Sequence, residues 1–160
     1  MPEPADGGTP RTTANPLQAP AALPFAVQRI DHLVLRVRDL ARSIDFYGAV
    51  LGCAVVRRRD ELGLAHLRAG ASLIDLVSVD GPLGRKGGGA PAGDRRNLDH
   101  FCLRIDPFDE AALRAHLGRH GVPVQGAVVS NFGAEGQGPS IYIEDPDGNQ
   151  IELKGSSTPP

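Results

Sequence analysis

The chain has 160 residues and a mass of 16.8 kDa, which suits one ordinary domain or two small fused modules. Hydrophobic residues make up 41% of it, but tryptophan is absent and aromatic residues reach only 4%, so aliphatic side chains must form most of the core. The formal net charge of −2 argues against a nucleic-acid-binding protein, and no apolar stretch has the length of a membrane span.

Residues 1–26 are rich in Pro, Ala, Gly and Thr and show neither helical nor strand periodicity. They are predicted to be a disordered or loosely docked N-terminal extension. The first residues lack the basic-then-apolar pattern of a secretory signal. The two cysteines, Cys53 and Cys102, make neither a disulfide framework nor a thiolate zinc motif. These features predict a cytoplasmic protein.

Residues 27–154 are predicted to form one domain of two tandem modules, 28–80 and 97–154, separated by a Gly- and Pro-rich linker at 81–96 and followed by a tail at 155–160. Each module begins with a strand, and a helix capped by Asp39 or Asp109 follows. Three further strands are expected in each, near 53–59, 62–69 and 72–79 and near 123–129, 139–144 and 149–154. The predicted fold class is therefore α+β, with two βαβββ modules forming a curved mixed sheet.

Two nine-residue segments, 29–37 and 97–105, align without gaps and carry a histidine at the same place, His32 and His100. Each module also ends in a carboxylate between apolar residues, Asp75 in the first and Glu152 in the second. Each residue alone is typical of an exposed strand position. The repetition is what indicates a site, because two imidazoles and two carboxylates suit a divalent transition metal.

Strand alternation predicts which side chains accompany these four residues. Positions two apart share a face of a strand, so Arg36 is expected beside His32, and Cys102 and Arg104 beside His100. A curved sheet would then bring both halves into one cleft. His66 lies mid-strand and is either an acid–base group near the site or an outward-facing strand residue. His116 and His120 are assigned to an exposed face of the second helix.

The runs 32–47 and 50–52 closely resemble the opening module of glyoxalase I enzymes. The run 143–153, with its Asp-Pro-Asp-Gly hairpin before an apolar-Glu-apolar strand, resembles their closing hairpin. The resemblance covers roughly residues 29–154 and identifies a member of the vicinal-oxygen-chelate superfamily. That superfamily includes glyoxalase I, extradiol dioxygenases, fosfomycin-modifying enzymes and bleomycin resistance proteins.

The resemblance implies that His32, His100 and Glu152 bind a divalent metal ion, which would be Ni, Co, Zn, Mn or Fe. Asp75 stands where glyoxalase I has its fourth ligand, which is normally a glutamate. Because aspartate is one methylene shorter, Asp75 binds the ion directly, through water, or not at all. Without it, two histidines and one carboxylate remain, and that set also suits non-heme iron.

The resemblance also assigns substrate-pocket residues. Arg36 matches an arginine that helps to hold the carboxylate of glutathione, although a salt bridge to a neighbouring acid is the alternative. Tyr142 would place a phenol near the metal, where extradiol dioxygenases also use a tyrosine. The Gly-rich segment 131–142 either covers the cleft or is a plain connection, and the second interpretation is favoured.

The function implied is that of a metal-dependent glyoxalase I-like lyase or isomerase. It would act on a small vicinal-oxygen substrate through a metal-stabilised enediolate, with Glu152 first and Asp75 second as the proton-transferring carboxylate. The alternatives are an Fe(II) extradiol-type dioxygenase and a non-catalytic, drug-sequestering binding protein. A homodimer is implied as well, and the long linker leaves open whether modules pair within one chain or between two.

Overall fold

The computed structural model describes residues 24–90 and 97–157. Most of the predicted N-terminal extension, residues 91–96 of the predicted linker and the last three residues of the predicted tail lie outside the described residues. Among the residues described, none of the helices combines the length and the hydrophobicity needed to cross a membrane.

The chain folds as two βαβββ modules, as predicted. Each module forms its own mixed four-stranded sheet, in the orders β1-β4-β3-β2 and β5-β8-β7-β6, and the first and last strands of each module pair in parallel. The α+β class is therefore confirmed, with the eight strands divided between two sheets. The elements are β1 (His32–Val37), α1 (Leu40–Ala49), β2 (Ala54–Arg59), β3 (Leu64–Ala69), β4 (Ser72–Ser78), β5 (His100–Arg104), α2 (Glu110–Arg119), β6 (Gln125–Gly133), β7 (Gly136–Glu144) and β8 (Gln150–Lys154).

Both helices begin at the predicted aspartates. The carboxylate of Asp39 accepts a hydrogen bond from the Arg42 backbone N–H, and that of Asp109 accepts one from Ala112, each at 3.0 Å. The apolar side of each sheet then packs inwards, and the buried residues of both modules join in one core. The opposite face of each sheet carries the polar side chains, as strand alternation predicts.

The Gly-rich segment is a hairpin and not the plain connection that was favoured from the sequence. Strand β6 continues to Gly133 and β7 resumes at Gly136, with Asn131 paired to Gly138. Glycine lowers strand propensity, which is why the pattern was interpreted as a loop. The hairpin extends over the polar face of the second sheet, where it contributes to a cavity.

The two modules dock through the Asp-Pro-Asp-Gly turn between β7 and β8. The Tyr47 hydroxyl of α1 donates to the buried Asp145 carboxylate at 2.9 Å, and Arg38 donates to Asp147 at 3.2 Å. Burial, together with the charge of Asp145, raises the pKa of Tyr47, so the phenol remains a donor. This motif therefore joins the two halves of the chain.

A second contact between the modules involves His116. Its Nε2 donates to the Val50 carbonyl at 2.8 Å, and the residue is half-buried. The assignment of His116 to an exposed helix face was therefore wrong, because helical spacing alone does not show which side faces the other module. His120 is exposed, as expected.

Candidate metal centre

The second module brings His100 and Glu152 together as predicted. Cys102 and Glu152 are paired across β5 and β8, so His100 is the diagonal neighbour of the glutamate. The His100 Nε2 lies 3.2 Å from the Glu152 Oε2. The other ring nitrogen, Nδ1, lies 2.7 Å from an Asp99 carboxylate oxygen. When His100 binds a metal ion, a proton on Nδ1 would satisfy Asp99 and leave the Nε2 lone pair on the side of Glu152.

This geometry fits a pair of ligands to one metal ion. Nitrogen and oxygen ligands about 2.1 Å from zinc lie about 3.0 Å apart at a right angle and about 3.4 Å apart at the tetrahedral angle. The observed 3.2 Å between Nε2 and Oε2 falls between these values. The carboxylate on Nδ1 also matches the usual arrangement, in which an acidic partner orients a metal-binding imidazole. The donor set present therefore fits the divalent ion that the resemblance implies.

Polar neighbours keep Glu152 ionised although it is 5% exposed. The Asn131 amide donates to its Oε1 at 3.0 Å and to the Tyr142 hydroxyl at 2.7 Å. Burial raises the pKa of Glu152, but Ser140, Asn131, Tyr142 and the charge of His100 outweigh it, so the net shift is downwards. The Ser140 hydroxyl lowers the pKa by lying close to the carboxylate, although no hydrogen bond of ordinary geometry joins it to any of the described residues. Glu152 is therefore available as a ligand or a base at neutral pH.

The first module holds an equivalent pair of an aspartate and a histidine. His32 Nδ1 lies 2.9 Å from an Asp31 carboxylate oxygen, as His100 does from Asp99. The hydrogen bond to Asp31, assisted by the charge of Asp75, raises the pKa of His32. Metal binding at His32 therefore has to release a proton held to higher pH than in a free imidazole.

Asp75, the candidate fourth ligand, contacts His66. Its Oδ1 lies 2.7 Å from His66 Nδ1, because β3 and β4 place the two residues directly opposite each other. His32 lies diagonally, since Asp75 pairs with Val34 across β1 and β4. His66 therefore lies on the same sheet face as Asp75. The strand register excludes the alternative, in which His66 points away from the candidate site.

The described residues of one chain do not unite the four predicted ligands. His32 and Asp75 belong to the first sheet and His100 and Glu152 to the second, and no group of three or more His, Cys, Asp or Glu within residues 24–90 and 97–157 is placed to hold a metal ion. The expectation that the two halves meet in one cleft is therefore not met within the described part of one chain. The reason is that the modules dock through the buried side of α1 and the turn at Asp145, not through their polar faces.

The side chain of Arg36 forms hydrogen bonds with the backbone of the linker. Its guanidinium donates to the backbone carbonyls of Gly84, Gly87, Gly88 and Gly89, at 2.5 to 3.3 Å. A Cβ at position 87 would lie 2.6 Å from this guanidinium, so glycine allows the close approach. Neither of the roles considered for Arg36, holding a substrate carboxylate and pairing with an acid, is what these contacts show. Arg36 fixes the start of the linker against β1.

Cys102 and Arg104 line a cavity of about 320 Å³ together with Glu152 and the β6–β7 hairpin. Arg104 donates to the Glu135 carboxylate of the hairpin at 2.9 Å. Burial, and the charge of Glu152, raise the pKa of Cys102 to about 11, so its thiol stays protonated at neutral pH. A separate cavity of about 440 Å³ lies beside α1 and contains none of the predicted site residues.

Three partners of the site were not predicted from the sequence: Asp31, Asp99 and Asn131. The signal for the aspartates was present, because each histidine of the repeat is preceded by one. Asn131 was hidden in the Gly-rich segment, and its role depends on β6 being longer than predicted.

Comparisons with known proteins agree with this architecture. The family model described as the Glyoxalase/Bleomycin resistance protein/Dioxygenase superfamily matches residues 29–153. Virulence protein STM3117 of Salmonella typhimurium is 32% identical over 133 residues, covering 82% of this chain and 87% of that protein. Its crystal structure matches with a TM-score of 0.66 at 30% identity, over 83% of this chain and 100% of that chain.

Two enzymes are among the relatives. The lactoylglutathione lyase of Escherichia coli O157:H7 is 30% identical over 137 residues, covering 78% of this chain and 90% of the enzyme. The catechol-2,3-dioxygenase of Bacillus subtilis is 28% identical over 125 residues, covering 78% of this chain but only 40% of the enzyme.

Proposed function

The chain belongs to the Glyoxalase/Bleomycin resistance protein/Dioxygenase superfamily, and from this premise we propose that it is a metal-dependent enzyme of the lyase or isomerase type. Its substrate is a small molecule with two adjacent oxygen atoms. The similarity to a lactoylglutathione lyase over most of both chains supports the lyase class.

One observation carries the proposal: His100 Nε2 lies 3.2 Å from Glu152 Oε2 while Asp99 holds Nδ1. A strand histidine with a purely structural role needs neither an orienting carboxylate nor a second, buried carboxylate facing its other nitrogen. The recurrence of the Asp-His pair at Asp31 and His32 supports the same interpretation.

The residues have distinct roles in this proposal. His32, His100 and Glu152 would hold the ion, with Asp75 as the candidate fourth ligand. When bound, a divalent ion would polarise the two substrate oxygens and favour loss of a neighbouring proton. Glu152 is the first candidate to take and return that proton, because its lowered pKa keeps it ionised. Asn131 positions Glu152 and Tyr142 relative to each other.

We propose that a complete site forms between two copies of the chain. The polar face of the first sheet from one copy would meet that of the second sheet from the other, which would unite the four candidate ligands. Val34, which lies among the ligands of the first face, is 53% exposed. In such an assembly the facing sheet of the other copy would cover Val34. A cyclic dimer would contain two such sites.

An Fe(II) extradiol-type dioxygenase is the second candidate. The contact between Asp75 and His66 favours it, because an Asp75 engaged by His66 leaves two histidines and one carboxylate. That set is the usual one for non-heme iron oxygenases. A drug-sequestering protein would need neither the ligand residues nor the carboxylates that orient them.

The proposed place of action is the cytoplasm. Cys53 and Cys102 are both free thiols in the structure, which suits a reducing compartment.

Metal content provides the direct test of this function. Protein purified without a histidine tag or chelator should carry about one divalent ion per chain, measured by inductively coupled plasma mass spectrometry. Nickel, cobalt, zinc or manganese would favour the lyase, whereas iron together with oxygen consumption would favour the dioxygenase. Protein that stays metal-free after incubation with each of these ions would contradict both enzymatic proposals.

A further inference from the structure

Lys154, the last residue of β8, is a buried cation that faces the same cavity as Glu152. It is 5% exposed, and among the described residues nothing pairs with its charge or accepts a hydrogen bond from its ammonium group. Burying an ammonium group without a partner costs free energy, so such a residue is rarely retained for stability. The cavity therefore carries a positive charge that an anion would neutralise.

The other permanent cation of the cavity, Arg104, already has an anionic partner. Arg104 is paired with Glu135 at 2.9 Å, and His100 faces Glu152 at 3.2 Å. Lys154 is also the direct cross-strand neighbour of Arg104. Like charges in this position repel each other. An oxyanion placed between the two cations would remove that repulsion.

The glycines of the β6–β7 hairpin make room for Lys154. A Cβ at Gly138 would lie 2.6 Å from the Lys154 Nζ, and one at Gly133 would lie 3.0 Å from its Cε. The hairpin backbone therefore packs directly on the lysine. Ser140, which pairs with Lys154 across β7 and β8, has a buried hydroxyl for which no residue within 24–90 and 97–157 is a hydrogen-bond partner.

We propose that this cavity binds the acidic group of the substrate, a carboxylate or a phosphate, through Lys154 with Arg104 beside it. The inference rests on the proposed function and deepens it, because it names the substrate class for the same site. Lys154 and Glu152 are two residues apart on one strand face, which separates their Cα atoms by about 7 Å. The substrate is thus a small organic acid that carries an acidic group in addition to its two adjacent oxygens. A cavity of about 320 Å³ suits a molecule of that size.

The chain offers a direct spectroscopic test because it has only two lysines, Lys86 and Lys154. In protein labelled with ¹³C-lysine, each lysine gives its own side-chain NMR signal. Titration with inorganic phosphate at constant ionic strength should shift the Lys154 signal to saturation and leave the signal of the exposed Lys86 in place. A parallel titration with acetate shows whether a carboxylate serves as well. Equal, unsaturated shifts of both signals would indicate ionic screening alone and overturn the proposal.

Two matched variants complete the test. Lys154→Met should weaken phosphate binding at least about tenfold in calorimetry, because the charged donor is lost while the volume is nearly kept. Lys86→Met should bind as the parent does. Lys154→Met should also melt at a temperature equal to or above that of the parent in phosphate-free buffer, since an unpaired buried charge is removed. Undiminished phosphate binding in a folded Lys154→Met protein would refute the proposed subsite.

The test separates this inference from the proposed function when it is run on the protein as purified and after dialysis against a chelator. Phosphate binding that needs Lys154 in both preparations supports the subsite whether or not a metal binds. If metal binds but the Lys154 signal does not respond to phosphate or acetate, the metal centre stands and the acidic substrate class is wrong.

Discussion

Replacing Glu152 with glutamine is expected to weaken metal binding by more than about a hundredfold and to abolish turnover. Changing a group that only orients a metal ligand costs about 10–100-fold in affinity, and Glu152 is proposed to be a ligand itself. The substitution keeps the side-chain shape and the buried position beside Asn131, but removes the negative charge that faces His100. Competition with a metal-sensitive dye measures the affinity, and circular dichroism checks the fold.

Glu144→Gln is the matched control for this prediction. Glu144 lies on the neighbouring strand β7 and on the same sheet face as Tyr142, but it is exposed and pairs with Gln150 in the register. Its replacement should leave metal affinity within about twofold of the parent, because a solvent-exposed charge is well screened. A Glu152→Gln protein that binds metal as tightly as Glu144→Gln would exclude Glu152 as a ligand.

Replacing Asp145 with alanine is expected to lower the free energy of unfolding by about 3–5 kcal/mol. The buried carboxylate accepts hydrogen bonds from the Tyr47 hydroxyl, the Asp147 backbone, and both the backbone and the side chain of Asn149, all at 2.8 to 2.9 Å. Its removal leaves these donors unsatisfied at the contact between the modules. Chemical denaturation of the two proteins measures the difference.

Two comparisons make the Asp145 result specific. Tyr47→Phe removes only one of the hydrogen bonds between the modules and should cost about 1–2 kcal/mol. Asp80→Ala changes an exposed aspartate and should fall within about 0.5 kcal/mol of the parent. An Asp145→Ala protein as stable as Asp80→Ala would show that the turn does not hold the modules together.

Much of the fold was predictable because local sequence patterns determine it. The repeat of segments 29–37 and 97–105 predicted the two modules, and the aspartates at positions 39 and 109 predicted where the helices begin. Alternation placed the candidate ligands on the polar faces, which the strand register confirms. The β6–β7 hairpin was not predicted, because its stability comes from pairing and packing and not from the propensity of its glycines.

The arrangement of the site depended on tertiary contacts that no local pattern shows. Alternation gives the face on which Asp75 lies, but only the strand register shows that His66, and not His32, is opposite it. Arg36 reaches carbonyls about fifty residues along the chain. A lysine at the end of a strand is usually exposed, so the burial of Lys154 became apparent only when the hairpin was seen to cover it.

We propose that one metal site takes His32 and Asp75 from one chain and His100 and Glu152 from another. The measurement that tests it most directly is the metal content of a heterodimer of His32→Ala and His100→Ala chains, isolated through two different non-histidine affinity tags. Each variant homodimer has only damaged sites, whereas the heterodimer would contain one intact and one doubly damaged site. We expect about one tightly bound ion per heterodimer and none in either homodimer. A stable heterodimer without bound metal, prepared alongside a metal-loaded parent protein, would contradict a site shared between chains.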